Sequence, residues 1–425
     1  MADFEMKAHP SDLTVLGVNE LTRDADWVDF EATLSTSEDQ IAIALGYLKK
    51  EWMKDGRRYF HYKRDRMMAR MKASLAYNSK KFSAYQHKQL RIIEFLRIYG
   101  SFAQSYPNTI PFSESHGFIA DVDDSDAGGV DFAFGVTSHE VEHHWWVHRV
   151  IGADVLGASM LSESISEYER LKTLKQEYGK SQRRTFFKYA LDHHLRGRKN
   201  ESSGQDSLMY VDGQSYIRYS KGALVFYALS DYMGEENLNS AVRKLVEKNK
   251  FQGPPYTTSM ELVDYIREVT PDSLQYVIKD MFETISLYEK RVVDYKTTKL
   301  ENGTYQKDIE FNVSKYRSGA KGNKIYTDDS IESITYQNDS GGQMSSLPLA
   351  DYIDIGVFGE EEIDGEKKVV ELYLQKHKMT AIHNTVTIIV NQKPTEVGVD
   401  PYSKLIDTDS DNNRMNSDEV KNIFL

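Results

Sequence analysis

His139-Glu140-Val141-Glu142-His143 reads HExxH inside an apolar run, with Phe132, Phe134, Val136 and Val141 before and within it and Trp145 and Trp146 after it. On a helix, residues four apart project from one face, so the two imidazoles can hold a single metal ion. Glu140 lies one step round, close enough to take a proton from a water on that metal. A zinc ion that hydrolyses amides wants three protein ligands and one open position for water. The pair therefore predicts a third ligand elsewhere in the chain.

Downstream, Leu161-Ser162-Glu163-Ser164-Ile165-Ser166-Glu167-Tyr168 offers a carboxylate on what reads as a second helix. Glu163 is the candidate ligand. Glu167, one turn later, is placed to accept a hydrogen bond from the free ring nitrogen of a metal-bound histidine and so fix its tautomer. Any isolated glutamate would read as a solvent-facing residue of an amphipathic helix; here the local spelling decides. It resembles the Leu-Asn-Glu-Gly-Phe-Ala-Glu-Tyr segment of the gluzincin aminopeptidases, the family of alanyl aminopeptidase and leukotriene hydrolase. That resemblance implies Glu163 as the third zinc ligand. The chain places 19 residues between His143 and Glu163, one more than is usual in the family, and the extra residue falls in the Val150–Ala158 stretch, where a loop tolerates insertion.

Tyr219-Ser220-Lys221-Gly222 resembles the family's Tyr-x-Lys-Gly, which implies that the Tyr219 hydroxyl stabilises the tetrahedral oxyanion, a task suited to a neutral phenol at pH 7. With 27 tyrosines in the chain, Tyr219 alone would read as packing. Glu114-Ser115-His116-Gly117-Phe118-Ile119 resembles the second half of the Gly-Ala-Met-Glu-Asn strand, implying that Glu114 grips the substrate's free amino group. Pro111-Phe112-Ser113 replaces Gly-Ala-Met, and Ser115 replaces Asn. Closer still, Ser101–Glu114 and Asp400–Asp407 resemble the peptidase portion of bacterial proteins that fuse such a domain to an ABC-type transporter permease, which implies covalent attachment to transmembrane permease segments in a parent protein.

His144 and His148 form a second i, i+4 pair offset by one residue. They could hold a metal in a binding-only site, but Trp145 follows His144 where a general base would be needed. The simpler reading has both flanking the helix, with the tryptophans buried against the sheet. Glu142 reads as an exposed or hydrogen-bonded carboxylate. His193-His194, beside Arg196 and Arg198, reads as a solvated helix C-terminus.

The chain has 425 residues, 40% hydrophobic and 12% aromatic, enough for two to three globular domains. A net charge of −12 argues against a nucleic-acid partner. The absence of cysteine excludes disulfides, thiol catalysis and thiolate zinc sites, and suits either redox compartment. No run of 18 apolar residues is present, and Met1-Ala-Asp-Phe-Glu lacks the basic and apolar regions of a signal peptide. The chain as given thus reads as soluble, its localisation open, with a membrane tether implied only by the fusion likeness.

From Asp12 to about Tyr62 the pattern alternates, as in Arg58-Tyr-Phe-His-Tyr, and predicts strands; residues 1–62 resemble a remnant of the family's N-terminal β domain. Residues 63–292 read as an α+β catalytic domain of thermolysin type: a helix over Met67–Tyr77, a strand over Arg91–Ile98, then helices including Phe186–Leu195, Ala223–Tyr232 and Leu274–Phe282. Residues 293–399 hold short alternating strands separated by clusters at Ser318–Asn323 and Asn338–Gly342, predicting an antiparallel β-sandwich. In the tail, 400–425, Asp407-Thr-Asp409-Ser-Asp411-Asn hints at a calcium loop but lacks the Gly and terminal Glu of an EF-hand, so it reads as a solvated acidic turn. Asp121–Asp126 and Glu360–Glu362 read as solvated loops.

Together these expectations describe a peptidase with one Zn²⁺ per chain on His139, His143 and Glu163, Glu140 as general base and acid, Tyr219 as oxyanion donor, and a peptide substrate. Glu114, with Glu163, would make it an aminopeptidase. The broken Gly-Ala-Met portion favours an endopeptidase as first rival; a non-catalytic peptide-binding or regulatory module of a transporter is the second.

Overall fold

The computed structural model describes residues 7–21, 32–42, 48–62, 69–117, 132–178, 183–326, 333–337, 343–363 and 366–416. Met67, Asp121–Asp126 and Asn338–Gly342 lie outside them. Helix and sheet are mixed, and the chain divides into two compact units: residues 1–182 with 208–278, and residues 183–207 with 279–425.

In the first unit, β1 (Ala32–Ser37), β2 (Leu48–Lys54) and β3 (Arg57–Tyr62) form an antiparallel sheet in the order β1-β3-β2. Asp55 and Gly56, both at positive φ, make the tight β2–β3 turn. Residues 8–20 run along the 152–156 segment: Leu156 N donates to Ala8 O at 2.9 Å, Asp154 N to Val18 O at 2.8 Å and Glu20 N to Gly152 O at 3.1 Å. Leu16 packs there with Ala153 and Val155. Helix α1 (Ala69–Lys81) leads to β4 (Arg91–Phe95), which pairs in parallel with β5 (Thr109–Ser113); the helical turn α2 (Glu114–Gly117) follows directly. Where Arg91–Ile98 predicts one strand, pairing stops at Phe95 and Arg97–Tyr99 forms a 3₁₀ turn, with Ile98 and Tyr99 exposed. Helix α3 (Phe132–Glu142) carries the HExxH stretch. A π-helical turn (Met160–Ser164) runs into α4 (Ile165–Tyr178), and another (Tyr216–Lys221) into α6 (Gly222–Met233); α7 (Glu235–Asn249), α8 (Ser259–Val269) and the short α9 (Gln275–Ile278) complete the unit.

Helix α5 (Arg183–Lys199) falls in the second unit, whose other regular structure is mostly antiparallel strand. One sheet orders β13 (His383–Val390), β7 (Tyr305–Ser318) and β6 (Ser286–Lys299), with the short β8 (Lys324–Ile325) on β7; another orders β12 (Glu366–Met379), β11 (Asp351–Ile363), β14 (Glu396–Val399) and β15 (Arg414–Asn416). A separate two-stranded ribbon pairs β9 (Ile334–Gln337) with β10 (Gln343–Ser346). Strand β6 begins at Ser286, earlier than the change of texture near Val292 suggests: Leu287 and Tyr288 are buried, and Tyr288 bridges to Asp407. Leu274–Phe282 likewise breaks into a 3₁₀ turn, α9 and a π turn.

The solvated reading of the acidic tail is overturned at Asp407. Its side chain is fully buried and lies 3.0 Å from the equally buried Lys290 Nζ, which also reaches Asp400 at 3.2 Å. A buried lysine takes the Asp407 carboxylate that a calcium loop would need. Asp409 instead accepts from Asp411 N at 3.3 Å as a local cap.

Candidate metal centre

Helix α3 ends at Glu142, so His143 stands at its frayed C-terminal edge, and the chain leaves through Trp145 N and Trp146 N, both donating to Glu142 O. The i, i+4 register still brings the imidazoles together: His139 Nε2 and His143 Nε2 are 3.1 Å apart. Glu163, from the π turn preceding α4, places Oε2 3.2 Å from His139 Nε2 and 3.4 Å from His143 Nε2. Among the described residues this is the set of His, Asp or Glu donors whose atoms all lie within 4.8 Å.

The far sides of both rings are engaged. His139 Nδ1 lies 3.0 Å from Glu167 Oε1, and His143 Nδ1 lies 3.2 Å from Trp146 O and 3.4 Å from Ser166 Oγ. Carboxylate and carbonyl oxygens only accept, so with a metal on the Nε2 atoms each ring would carry its proton on Nδ1, facing Glu167 or the Trp146 carbonyl. Two imidazole Nε2 atoms and one carboxylate oxygen thus face one another across 3.1–3.4 Å. Ligand bonds of about 2.0–2.1 Å in a tetrahedron set neighbouring donors about 3.3 Å apart, and the triangle fits a zinc ion. Glu167 is fixed in turn by Arg170, whose Nη2 is 2.7 Å and Nε 2.8 Å away. The i, i+3 spacing of Glu167 and Arg170 was the available sequence signal for that anchor.

The carboxylates and imidazoles of the centre shift one another strongly. Burial works against protonation of His139, but Glu163 and Glu167 outweigh it and raise its pKa to about 10. Burial works against ionisation of Glu163 too, yet His143 and His139 hold it well below the usual carboxylate range. Glu167 falls to about 2, burial being overcome by Arg170 and His139. Glu140 is 6% exposed, and burial raises its pKa against the opposing influence of His139 and His143. Glu20, which the sequence did not single out, accepts from Ser162 Oγ at 3.3 Å; burial and the nearby Glu163 push it up to about 8.

Tyr219 arrives through the packing of the two π turns. Ser164 Oγ donates to Arg218 O at 2.6 Å, and a Cβ on Gly222 would stand 2.2 Å from Ser164 Oγ and 3.1 Å from Ser164 Cα. Only glycine allows that approach, which sets the Tyr219 ring 5.7 Å from the His139 ring and its hydroxyl in hydrogen-bonding contact with Glu163. Burial and Glu163 raise the phenol's pKa, so it stays a neutral donor. Glu114, on α2, has a carboxylate that accepts from Arg97 N at 3.1 Å and lies 3.9 Å from Arg97 Nε. Glu142 is fully buried and accepts from Asn78 Nδ2 of α1, the hydrogen-bonded alternative for that residue. Trp145 and Trp146 are buried, with Trp145 Nε1 donating to Ser83 O at 3.1 Å and Trp146 meeting the Phe82 ring edge-on, both in the segment after α1.

Replacing Glu167 with Gln is expected to weaken zinc binding by about 10- to 100-fold, as removal of a histidine-orienting carboxylate typically does. Competition with a chromophoric chelator measures it; unchanged affinity would return Glu167 to a purely structural pairing with Arg170.

No protein-family model matches the chain, and no curated protein does. Solved structures similar to it include an M1 zinc metallopeptidase from Deinococcus radiodurans (13% identity, covering 59% of this chain and 62% of that one, TM-score 0.44). Another is Legionella pneumophila aminopeptidase A in complex with aspartic acid (13% identity, 88% and 43%, TM-score 0.46). A third is leukotriene A4 hydrolase from Saccharomyces cerevisiae (13% identity, 58% and 44%, TM-score 0.43). The chain spans less than two thirds of the length of each.

Proposed function

We propose that this chain is a zinc-dependent peptidase, acting as an aminopeptidase, with His139, His143 and Glu163 as the metal's ligands. Its principal support is the triangle of His139 Nε2, His143 Nε2 and Glu163 Oε2 at 3.1–3.4 Å, with Glu167 and the Trp146 carbonyl against the far sides of the two rings. A zinc ion among these three donors would satisfy all of them at ordinary bond lengths.

Zinc held there supplies Lewis acidity, polarising the scissile carbonyl and lowering the pKa of a water toward about 7. Glu140 takes the proton of the attacking water and returns it to the leaving nitrogen; its burial and raised pKa suit a group that must both accept and release. Tyr219 donates to the oxyanion. Glu163 and Glu114 are the carboxylates proposed to receive the substrate's ammonium, with Glu20 adding a third acidic group beside Glu163. In the same reading the first unit is a thermolysin-like domain and the two antiparallel sheets of the second form a β-sandwich. Among the described residues no helix is long and apolar enough to cross a membrane, and a tether to permease segments rests on the sequence likeness alone.

Tyr219→Phe is expected to lower kcat by about 10²- to 10³-fold, the usual effect of deleting one oxyanion donor, with KM little changed. A loss below about tenfold would make Tyr219 a packing residue. Exopeptidase action is tested with pairs of peptides, free and N-acetylated, followed by mass spectrometry. Stepwise shortening of the free peptides alone supports the aminopeptidase; equal internal cleavage of both would replace it with an endopeptidase on the same centre.

A further inference from the structure

The second histidine pair acquires a third member in the fold. His87, on the segment between α1 and β4, lies with its ring centroid 5.7 Å from that of His144, at 83°. His144 in turn lies 5.1 Å from His148, at 88°. His144 is fully buried, and its Nδ1 donates to Val141 O at 3.1 Å, which leaves Nε2 as a buried lone pair with no partner. His148 donates to the backbone of Ser105, and its Nδ1 is likewise buried and unpartnered. In His87, both ring nitrogens are buried and without a hydrogen bond among the described residues. Four unsatisfied imidazole nitrogens in one aromatic pocket, beside Tyr85 and Trp145, are an unusual concentration of unmet polar groups.

We propose that His87, His144 and His148 form a second metal site, distinct from the His139–His143–Glu163 centre, that takes a late first-row transition-metal dication such as zinc. Imidazoles bound to one tetrahedral ion at about 2.0–2.1 Å hold their ring centroids about 5 Å apart, the separation found here. The carbonyl-bound proton on His144 and the backbone-bound proton on His148 fix the tautomers a metal needs. Three neutral nitrogen donors with no carboxylate select zinc, nickel or copper over magnesium or calcium. Only the first centre has all its donors within 4.8 Å among the described residues, so closing the second requires side-chain rotation, which His87 can make without breaking a hydrogen bond. The site is structural in position: it would tie the segment after α1 to the loop that leaves α3 directly behind His143, and it carries no neighbouring base.

The test is metal stoichiometry of the full chain, stripped with chelator, dialysed against zinc and measured by inductively coupled plasma mass spectrometry. Wild type is expected to bind two equivalents, His87→Phe and His148→Phe one each, and Glu163→Ala one. Circular dichroism shows whether each variant is folded. Two equivalents retained in folded His87→Phe and His148→Phe would overturn the proposal, assigning the second ion to the surface. Wild type saturating at one equivalent would overturn it with no variant needed. Two equivalents in wild type that fall to one in His87→Phe but stay at two in Glu163→Ala would support this site while sinking the first, so the two readings fail separately.

Discussion

Replacing Glu140 with Gln is expected to lower peptide turnover by about 10³- to 10⁴-fold while one zinc per chain stays on His139, His143 and Glu163. The magnitude is the upper part of what a positioned acid–base group contributes, because one carboxylate serves both proton transfers. Glutamine has nearly the same shape, so at 6% exposure it can occupy the same space on α3 without a cavity. It cannot accept a proton. The Nε2···Nε2 and Nε2···Oε2 distances that define the metal triangle do not involve Glu140, so binding should survive. Kinetics and metal analysis of the same sample check both halves. Loss of zinc would mean that Glu140 stands among the ligands, and a fall below about tenfold would mean that another group moves the proton.

The second large effect lies in the other unit. Lys290→Met is expected to lower the free energy of unfolding by about 3–5 kcal/mol, the usual result of stripping one partner from a buried ion pair. Lys290 Nζ sits between Asp407 at 3.0 Å and Asp400 at 3.2 Å, and none of the three side chains is more than 2% exposed. Burial works against the ammonium, but the two carboxylates outweigh it and raise its pKa above 10.5. A base whose folded pKa is raised contributes stability fully present below its unfolded value. That contribution is lost as pH rises through the folded pKa, so the wild type should weaken in strong alkali and the variant should lack this step. Urea unfolding at pH 7 and at pH above 11 measures both. A cost under about 1 kcal/mol would show that water reaches the pair.

What the sequence disclosed about the centre is what helical periodicity encodes. His139 and His143 are four apart, Glu163 and Glu167 are four apart, and on a helix each pair shares a face. Tyr219 was legible through its neighbour: Gly222 records the close approach of two π turns, though the turns themselves carry no periodic signal. Contacts made by irregular backbone left no such trace. Glu20 reaches Ser162 from a non-helical segment 142 residues away, and its stretch reads locally as alternating strand. His87 is a single histidine in the polar run Tyr85-Gln-His-Lys-Gln, and nothing in that run says that it meets His144. The acidic tail misled for a related reason, since composition predicts solvation unless a buried lysine lies opposite, and Lys290 is 117 residues from Asp407. Amphipathic spacing in α5 says that one face packs but not against what, and the helix belongs to the mainly β unit.

The central claim, metal-dependent hydrolysis at the His139–His143–Glu163 centre, is tested most directly by following peptide cleavage in chelator-stripped protein as zinc is returned stepwise, with Glu140→Gln as the blank. The account predicts no cleavage in the stripped protein and cleavage that appears as this centre fills, absent from the blank throughout. Cleavage that persists without metal, or none with zinc bound at these three ligands, would contradict it.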